Sequence, residues 1–341
     1  MLLPVTGQSN RCVVLNARPV GVPGPEFFDL ETRSVPDLKD GEFLVRNDFL
    51  SVDPAMRSWV NDGPSYSKPV PVGGVMRAFA AGEVVATQHP DYAVGDRVTG
   101  AFGWQYFAVS DGTDVMRRLG AGEESLSAAL GVLGMTGLTA YFGLLDLCSP
   151  KAGDSVVVST GAGAVGSIVG QIAKIRGCRT VGIAGGPEKV RQCLDEFGYD
   201  AAIDYRNTAD ISAEIAAACP DGVDVYFDNT CGPISDAVFA QLAIGARIAI
   251  CGTASIQDWV PLPVGPRVHR QILVARARMS GLLVHDFKDR FPEAIAQLSA
   301  WIAEGKLASR EHVLDGIEQA PGAIRMLYRG ENQGKLVIRI D

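Results

Sequence analysis

The chain has 341 residues, of which 47% are hydrophobic and 21% charged, the balance of an ordinary globular protein with about two domains. Its formal net charge of −8 and isoelectric point near 5.1 argue against nucleic acid or an anionic membrane as the main partner. No stretch of eighteen apolar residues predicts a membrane span.

The seven cysteines are widely spaced, and no Cys-x-x-Cys pair occurs. An odd number at such spacing indicates reduced thiols and not a disulfide framework. The first twelve residues also lack the basic and then apolar pattern of a secretory signal. Together these features predict a cytoplasmic protein.

The first third of the chain, residues 11–125, is predicted to be rich in strands. Short apolar runs such as 43–45 and 81–85 are interrupted by Gly, Pro and Asp, and residues 92–98 indicate a turn that leads into a strand. From 125 to 146 the large apolar residues recur at spacings of three and four, which predicts helix.

A regular alternation of strands and helices follows. The predicted strands are 155–159, 180–184, 201–204, 223–227 and 247–251, and the predicted helices are 165–176, 188–197, 211–218 and 235–242. Strands that alternate with helices of about ten residues imply right-handed crossovers and a parallel sheet. Further on, 279–284 and 335–340 are predicted strands, and 287–302 is a predicted amphipathic helix.

A glycine-rich turn joins the first of these strands to its helix, with the pattern Gly161-x-Gly163-x-x-Gly166. In a dinucleotide site the first glycine permits the tight turn, the second lets the backbone approach a pyrophosphate, and the third lets helix and strand pack closely. The helix N-terminus adds free N–H groups and a positive dipole end. A turn kept only for packing is the alternative.

The end of the second strand of this unit bears on the choice between NAD and NADP. An acidic residue usually stands there to hold the ribose 2′-hydroxyl of NAD, but this strand ends in Gly185-Gly186. The two glycines leave room for a 2′-phosphate, and Lys189 can supply a charged contact to it. We therefore expect NADPH, with a solvated helix lysine as the alternative for Lys189. Glu188, in the first helical turn, can point away.

The sequence lacks the residue patterns that several common catalytic mechanisms require. The four histidines are far apart and have no partner at zinc-ligand spacing, so we expect no metal. No Tyr-x-x-x-Lys pair and no Gly-x-Ser-x-Gly elbow is present. The chemistry then depends on the hydride of the cofactor, and we assign no catalytic side chain.

The chain resembles the zinc-independent medium-chain dehydrogenase/reductases, in the branch of prostaglandin reductases, 2-alkenal reductases and bacterial curcumin reductases. The resemblance covers nearly the whole length. It is carried by the strings LSVDPAMR from Leu50, GWQ from Gly103, GMTGLTAYFG from Gly134, the turn 161–167, YFDN from Tyr226, AICG from Ala249 and GENQGK from Gly330.

The resemblance implies a fold of class α/β. A Rossmann NADP-binding domain with a doubly wound parallel sheet, residues 128–306, would be inserted in a β-rich GroES-like catalytic domain of residues 1–127 and 307–341. By the same resemblance, the residues that would contact NADPH are Gly161, Gly163, Ala164, Val165, Gly166, Lys189, Tyr205, Asn229, Cys251, Gly252, Thr253, Ser255, Gln257, Leu282, Leu283, Val284 and Asn332. For Cys251 and residues 282–284, plain strand core is the alternative.

Two positions depart from the family pattern. Gln257 stands where the family commonly has a tyrosine near the nicotinamide ribose, and Ala55 replaces the tyrosine of Asp-Pro-Tyr-Met-Arg. Both changes bear on substrate preference. Tyr66, Trp104 and Gln105 are candidates for lining the substrate cleft, with simple packing or surface positions as the alternative.

The resemblance implies NADPH-dependent reduction of the C=C bond of an α,β-unsaturated aldehyde or ketone, by hydride transfer to the β-carbon. Two alternatives remain open, a quinone reductase of the same superfamily and a non-enzymatic NADPH-binding sensor or structural protein. The expected partner is a small enal or enone, with no nucleic acid and no membrane. The apolar strand 279–284 lies where the family extends its sheet across a two-fold axis, so we expect a homodimer.

Overall fold

The computed structural model describes residues 7–63, 65–120, 125–256, 261 and 263–340. Within these residues the chain forms fifteen strands. They are β1 (Ser9–Leu15), β2 (Phe28–Ser34), β3 (Phe43–Ser51), β4 (Ala80–Thr87), β5 (Arg97–Gly100), β6 (Phe107–Ser110), β7 (Val115–Arg118), β8 (Ser155–Ser159), β9 (Arg179–Ala184), β10 (Ala201–Asp204), β11 (Val223–Asp228), β12 (Leu242–Ile250), β13 (Arg278–Gly281), β14 (Glu311–Asp315) and β15 (Lys335–Arg339).

Nine α-helices lie in the same described residues. They are α1 (Met56–Trp59), α2 (Met135–Phe142), α3 (Ala164–Ile175), α4 (Pro187–Arg191), α5 (Ile211–Ala218), α6 (Gly232–Phe239), α7 (His269–Ala275), α8 (Phe291–Ala303) and α9 (Ala320–Arg329). The π-helical segments Gly143–Cys148 and Gln192–Glu196 continue α2 and α4. Among the described residues, no helix has both the length and the apolar character that crossing a membrane requires.

The chain divides into two compact units. The first contains Met1–Leu130, His312–Asn332 and Leu336–Asp341, and the second contains Gly131–Glu311 and Gln333–Lys335. These boundaries lie a few residues beyond the predicted 127/128 and 306/307. The short return of Gln333–Lys335 to the second unit is a feature that the prediction did not contain.

The first unit is built from antiparallel strands. A seven-stranded sheet has the order β14-β15-β3-β4-β5-β7, with β6 paired to β3, and β1 and β2 form a separate hairpin-like pair. Its core is aromatic and aliphatic, and Phe43, Met56, Trp104 and Leu336 are almost completely buried there. This is the strand-rich unit that the first third of the sequence predicts.

The second unit has a six-stranded parallel sheet in the order β10-β9-β8-β11-β12-β13. Every residue of β8 is buried, because β8 lies in the middle of the sheet and carries an unbroken Ser-Val-Val-Val-Ser run. The strand order reverses direction between β8 and β11, which makes this the doubly wound arrangement that the sequence predicts.

Several predicted elements have different bounds in the structure, among them the helix predicted over 125–146, which begins at Met135, and the strand predicted at 247–251, which is Leu242–Ile250. The helix predicted at 235–242 begins at Gly232, because Pro233 occupies its first turn, and Leu242 already starts β12. The strand predicted at 279–284 ends at Gly281 and is followed by a 3-10 turn, Val284–Arg290. The helix predicted from 287 therefore starts at Phe291, with Pro292 in its first turn.

Candidate functional site

The carboxyl ends of β8, β11, β12 and β13 lie at one edge of the parallel sheet of the second unit. In doubly wound sheets, ligands bind outside this edge, at the point where the strand order reverses. The segments that follow these four strands carry most of the predicted cofactor residues. The sheet therefore brings together residues that are up to about 120 positions apart in the chain.

The glycine-rich turn after β8 has little room for side chains. A Cβ atom on Gly166 would lie 2.2 Å from the carbonyl oxygen of Thr160, and one on Gly161 would lie 2.9 Å from the Cα of Gly182. A Cβ on Gly163 would meet the Thr160 side chain at 2.7 Å. Close backbone packing thus requires glycine at 161 and 166, while at 163 an added Cβ would first press on the Thr160 side chain.

Helix α3 begins directly at this turn, with Gly163 as its N-cap residue. No side chain caps the helix, so the N–H groups of Ala164, Val165 and Gly166 have no partner within the helix. Such groups, together with the positive end of the helix dipole, are suited to bind a phosphate. Tyr199 fixes the helix against the sheet by donating a 2.6 Å hydrogen bond to the carbonyl of Gly166.

The Gly185-Gly186 turn after β9 is held by a carboxylate from the next strand. Gly186 has φ +96°, and its N–H donates to Asp204 Oδ1 at 2.8 Å. Burial opposes ionisation of Asp204, but hydrogen bonds from Asn207 and Gly186 hold its pKa below the ordinary value. A Cβ on Gly185 would lie 2.9 Å from the Tyr205 ring, so the turn must stay narrow.

Two cations lie beside this turn. Lys189 on α4 is partly buried, and burial followed by the positive charge of Arg206 holds the pKa of Lys189 below its ordinary value. The guanidinium of Arg206 lies 5.8 Å from the centroid of the Tyr205 ring, and Tyr205 is 41% exposed. Sequence reasoning identified Lys189 and Tyr205 but missed Arg206, which stands next to Tyr205 in the chain.

Glu188 is hydrogen-bonded to a neighbouring segment, although its charge still opposes the lowering of the Lys189 pKa. Its carboxylate accepts a hydrogen bond from Gln333 Nε2, and Gln333 in turn accepts one from Arg310. Gly334 forms a β-bridge with Gly163, so the short segment Gln333–Lys335 lies against the glycine-rich turn. The acidic residue nearest to Lys189 in sequence is therefore hydrogen-bonded to Gln333, and its charge only partly offsets the effects of burial and Arg206 on the Lys189 pKa.

Asn229 follows β11 and is bound to the end of β8. Its backbone N–H donates to Ser159 Oγ at 2.8 Å, and its side-chain Nδ2 donates to the Ser159 carbonyl at 2.7 Å. The amide oxygen of Asn229 therefore faces away from Ser159. This places a hydrogen-bond acceptor at the crevice between the two strands.

The loop after β12 carries Cys251, Gly252, Thr253 and Ser255. Ser255 Oγ donates to the carbonyls of Thr230 and Cys231, so it braces the two loops against each other. Cys251 is partly buried, and burial followed by the charge of Asp228 raises its pKa to about 12. Gln257 lies outside the described residues.

Leu282, Leu283 and Val284 follow β13. Leu282 N–H donates to the carbonyl of Ile250, Leu282 and Leu283 are partly buried, and Val284 is buried. Leu282 also fills the space above Gly143, where an added Cβ would lie 2.5 Å from it. These residues lie at the carboxyl edge of the parallel sheet, where a ligand is expected, and they also pack against other residues of the second unit.

The remaining predicted residues belong to the first unit. Trp104 is completely buried, donates its indole N–H to the carbonyl of Ser51 and packs on Phe28, so packing describes its role and we do not retain it as a cleft residue. Gln105 uses its amide to bind Asn10 and the carbonyl of Phe102. Tyr66 is 56% exposed.

Asn332 is buried in the first unit. Its contact with a cofactor stays a prediction. Nearby in the same unit, Tyr328 donates to the carbonyl of Pro54, and the guanidinium of Arg57 lies 5.3 Å from its ring. Burial raises the pKa of Tyr328, and Tyr66 adds to that rise. Sequence reasoning did not identify this tyrosine and arginine pair.

Side chains suited to metal binding are dispersed. Within the part of the chain that the structure describes, no three His, Cys, Asp or Glu side chains lie close enough together to hold a metal ion. The arrangement at the sheet edge instead suits an anionic ligand that also carries hydrogen-bond donors, with helix N–H groups and two cations for the anion and the Asn229 amide oxygen as an acceptor.

Comparison with known proteins defines the class of the chain. Residues 11–117 match the family model described as the N-terminal domain of oxidoreductase, and residues 164–300 match the model described as zinc-binding dehydrogenase. The chain is thus an oxidoreductase of the medium-chain dehydrogenase/reductase class.

The relatives narrow this class further. The chain is 43% identical to the NADPH-dependent curcumin reductase of Escherichia coli (98% of this chain, 97% of the relative) and 36% identical to the 2-alkenal reductase (NADP(+)-dependent) of Nicotiana tabacum (98% of each). It is also similar to the crystal structure of CurA in complex with NADPH from Vibrio vulnificus, with a TM-score of 0.92, 42% identity and coverage of 97% and 99%. The chain belongs to this family, in the branch of prostaglandin, 2-alkenal and curcumin reductases that the sequence predicts.

Proposed function

We propose that the protein uses NADPH to reduce the C=C bond of α,β-unsaturated aldehydes or ketones. The observation that carries the cofactor assignment is the pair of cations, Lys189 and Arg206, beside the Gly185-Gly186 turn. A 2′-phosphate would interact favourably with both charges, whereas a plain 2′-hydroxyl offers no charge to either. The names of the relatives, curcumin reductase and 2-alkenal reductase, support the substrate class.

The residues at the sheet edge fit such a cofactor. Gly161, Gly163 and Gly166 keep the turn after β8 narrow, and the free N–H groups at the start of α3 would hold the pyrophosphate. Lys189, Arg206 and Tyr205 would hold the adenosine end with its 2′-phosphate. Asn229 and the loop after β12 would hold the nicotinamide ribose.

When bound, NADPH supplies a hydride from C4 of the nicotinamide to the β-carbon, and the α-carbon then takes up a proton. This reaction suits a site without a strong carbonyl activator, because the β-carbon of a conjugated carbonyl is already electrophilic. The charge that develops on the distant carbonyl oxygen requires a hydrogen bond in a water-poor site. Tyr66 stays a candidate for lining the substrate cleft.

The test is an NADPH-consumption assay with product identification. A 2-alkenal or an enone should be converted to the saturated carbonyl compound, and the matching saturated aldehyde should not react. A benzoquinone tests the quinone-reductase alternative, which a much higher kcat/KM for quinone than for enone would favour. Tight NADPH binding without turnover on any of these compounds would favour a non-enzymatic role.

A further inference from the structure

We propose that Asp228 and Ser159 are positioning residues for the nicotinamide half of NADPH. They fix the loop of residues 229–231 and orient the Asn229 amide so that its oxygen can accept a hydrogen bond from a hydroxyl or amide group of the cofactor. This inference rests on the proposed use of NADPH. Neither residue was identified from the sequence, although Asp228 belongs to the YFDN string.

Asp228 is a completely buried carboxylate at the end of β11. Its Oδ1 accepts hydrogen bonds from the N–H groups of Thr230 (2.9 Å) and Cys231 (2.8 Å) and from the hydroxyl of Tyr226 (3.0 Å). An interior carboxylate is costly unless it is satisfied in this way. The bonds to two successive backbone N–H groups fix the path of the chain immediately after the strand.

The loop held by Asp228 has a strained backbone. Cys231 has φ +57°, a left-handed conformation that costs a residue other than glycine about 1–3 kcal/mol. Gly232 follows with φ +68°, and a Cβ there would lie 2.5 Å from Ser255 Oγ. Such a conformation persists only where its surroundings hold it, and the N–H of Cys231 is one of the groups bound by Asp228.

Ser159 links this loop to the central strand across the reversal point of the sheet. Its Oγ accepts from the N–H of Asn229 at 2.8 Å and donates to Asp228 Oδ1 at 3.3 Å. Its carbonyl accepts from Asn229 Nδ2, which fixes the orientation of the amide. Among the described residues, no donor contacts the amide oxygen of Asn229, so that acceptor is available to a ligand.

The backbone of Asp228 orders the neighbouring loop as well. Its carbonyl accepts from the N–H groups of Cys251 (2.8 Å) and Gly252 (3.1 Å). A Cβ on Gly252 would lie 2.8 Å from the carbonyl oxygen of Asn229, so the two loops are in close contact. One residue thus orders both segments that are predicted to hold the nicotinamide ribose.

Ser235 provides a matched control within the same buried network. It lies on α6, donates to Asp228 Oδ2 at 2.6 Å and lies 3.0 Å from the hydroxyl of Tyr226. Within the described residues, its hydroxyl makes no hydrogen bond to residues 229–231 or 251–255. Removing its hydroxyl takes two hydrogen bonds from the buried network but leaves the loop contacts of Asp228 Oδ1 and of Ser159 in place.

The experiment measures the binding of two probes, NADPH and adenosine 2′,5′-bisphosphate, to the purified full chain. Ser159→Ala should weaken NADPH about five- to thirtyfold, because the loop loses both hydrogen bonds of the Ser159 hydroxyl. It should leave the bisphosphate unchanged, because that probe contacts only the adenosine end. Ser235→Ala should lower Tm to a similar extent and change the affinity for neither probe.

A double-mutant cycle adds a second readout. Asn229→Ala should weaken NADPH at least as much as Ser159→Ala, and the double variant should be little worse than Asn229→Ala, because Ser159 is proposed to act only by positioning the Asn229 amide. Additive losses would contradict the proposal, as would unchanged NADPH affinity in Ser159→Ala or an equal loss in Ser235→Ala. If the wild-type protein binds the bisphosphate but not NADPH, or neither probe, the proposed function fails instead.

Discussion

Lys189 and Arg206 place two positive charges beside one narrow turn. Burial and then the charge of Arg206 hold the pKa of Lys189 below its ordinary value, and the charge of Glu188, which accepts a hydrogen bond from Gln333, offsets this only in part. Two neighbouring cations of this kind are stabilised by an anion. This relationship gives the choice of NADPH a physical basis.

Removing either cation should reduce selectivity for NADPH. We expect the wild-type protein to prefer NADPH over NADH at least about tenfold in kcat/KM, and Lys189→Ala or Arg206→Ala to lose about 1–3 kcal/mol of that preference. The use of NADH should change little. Arg191→Ala is the control, because Arg191 is an exposed cation on the same helix. Equal use of both cofactors by the wild type would contradict the assignment.

The NADPH preference should also depend on pH. A bound 2′-phosphate raises the pKa of Lys189 from its depressed value in the free protein, so affinity is highest below the free-protein pKa. Affinity then falls as the pH rises from that value to the pKa of the complex. In Lys189→Arg, the guanidinium keeps its charge throughout, so the fall should be much smaller. Identical pH profiles of the NADPH dissociation constant in the two proteins would refute this explanation.

The thiols should resist alkylation by the electrophilic substrates. Burial is the largest cause of a raised pKa at all seven cysteines. The values reach about 11 for Cys178 and Cys219 and about 12 for Cys148, Cys193, Cys231 and Cys251. Thiolates, which are the reactive form, are therefore scarce near neutral pH.

Intact-mass spectrometry after incubation with an enal, without NADPH, measures this resistance. We expect almost no adduct on the folded protein at pH 7.5, more as the pH rises towards 11, and modification of all seven cysteines after unfolding in denaturant. Cys231 and Cys251 are the most informative sites because both are only partly buried. Rapid labelling of either at neutral pH would show that the thiols are not protected.

The edge of the parallel sheet supports a homodimer. All four residues of β13 are exposed, and apolar Met279 is 49% and Leu273 76% exposed. Because Leu282 N–H donates towards β12, the alternating N–H groups of Met279 and Gly281 face the open edge. We expect light scattering to give twice 36.1 kDa for the wild type and for Met279→Ala, and a monomer for Met279→Pro, which lacks the outward N–H. A monomeric wild type would contradict the prediction.

Local pattern was sufficient to predict much of the second unit. Strands 155–159 and 201–204 and the helix 211–218 have the bounds that the sequence predicts, because buried strands and caps are local signals. The helix of residues 188–197 is in fact α4 continued by a π-helical segment, a change of hydrogen bonding that periodicity does not encode.

The residues that sequence reasoning missed reach their partners only because of the way neighbouring strands are aligned. Asp204 reaches the Gly186 turn, and Ser159 reaches Asn229, only because β9 pairs with β10 and β8 with β11 in the observed alignment. Arg206 could have been found, since a second cation beside Tyr205 is visible in the sequence. Asp228 could not have been found in this way, because the role of a buried carboxylate is evident only from the groups that surround it in the structure.

The central claim is that hydride is delivered to the carbon–carbon double bond, and deuterium transfer tests it most directly. The protein should be incubated with a 2-alkenal and NADPH that carries deuterium at the transferred position of C4. We expect the saturated aldehyde, with deuterium on the β-carbon. If the product is instead the allylic alcohol, with deuterium on the former carbonyl carbon, the proposed reaction is wrong.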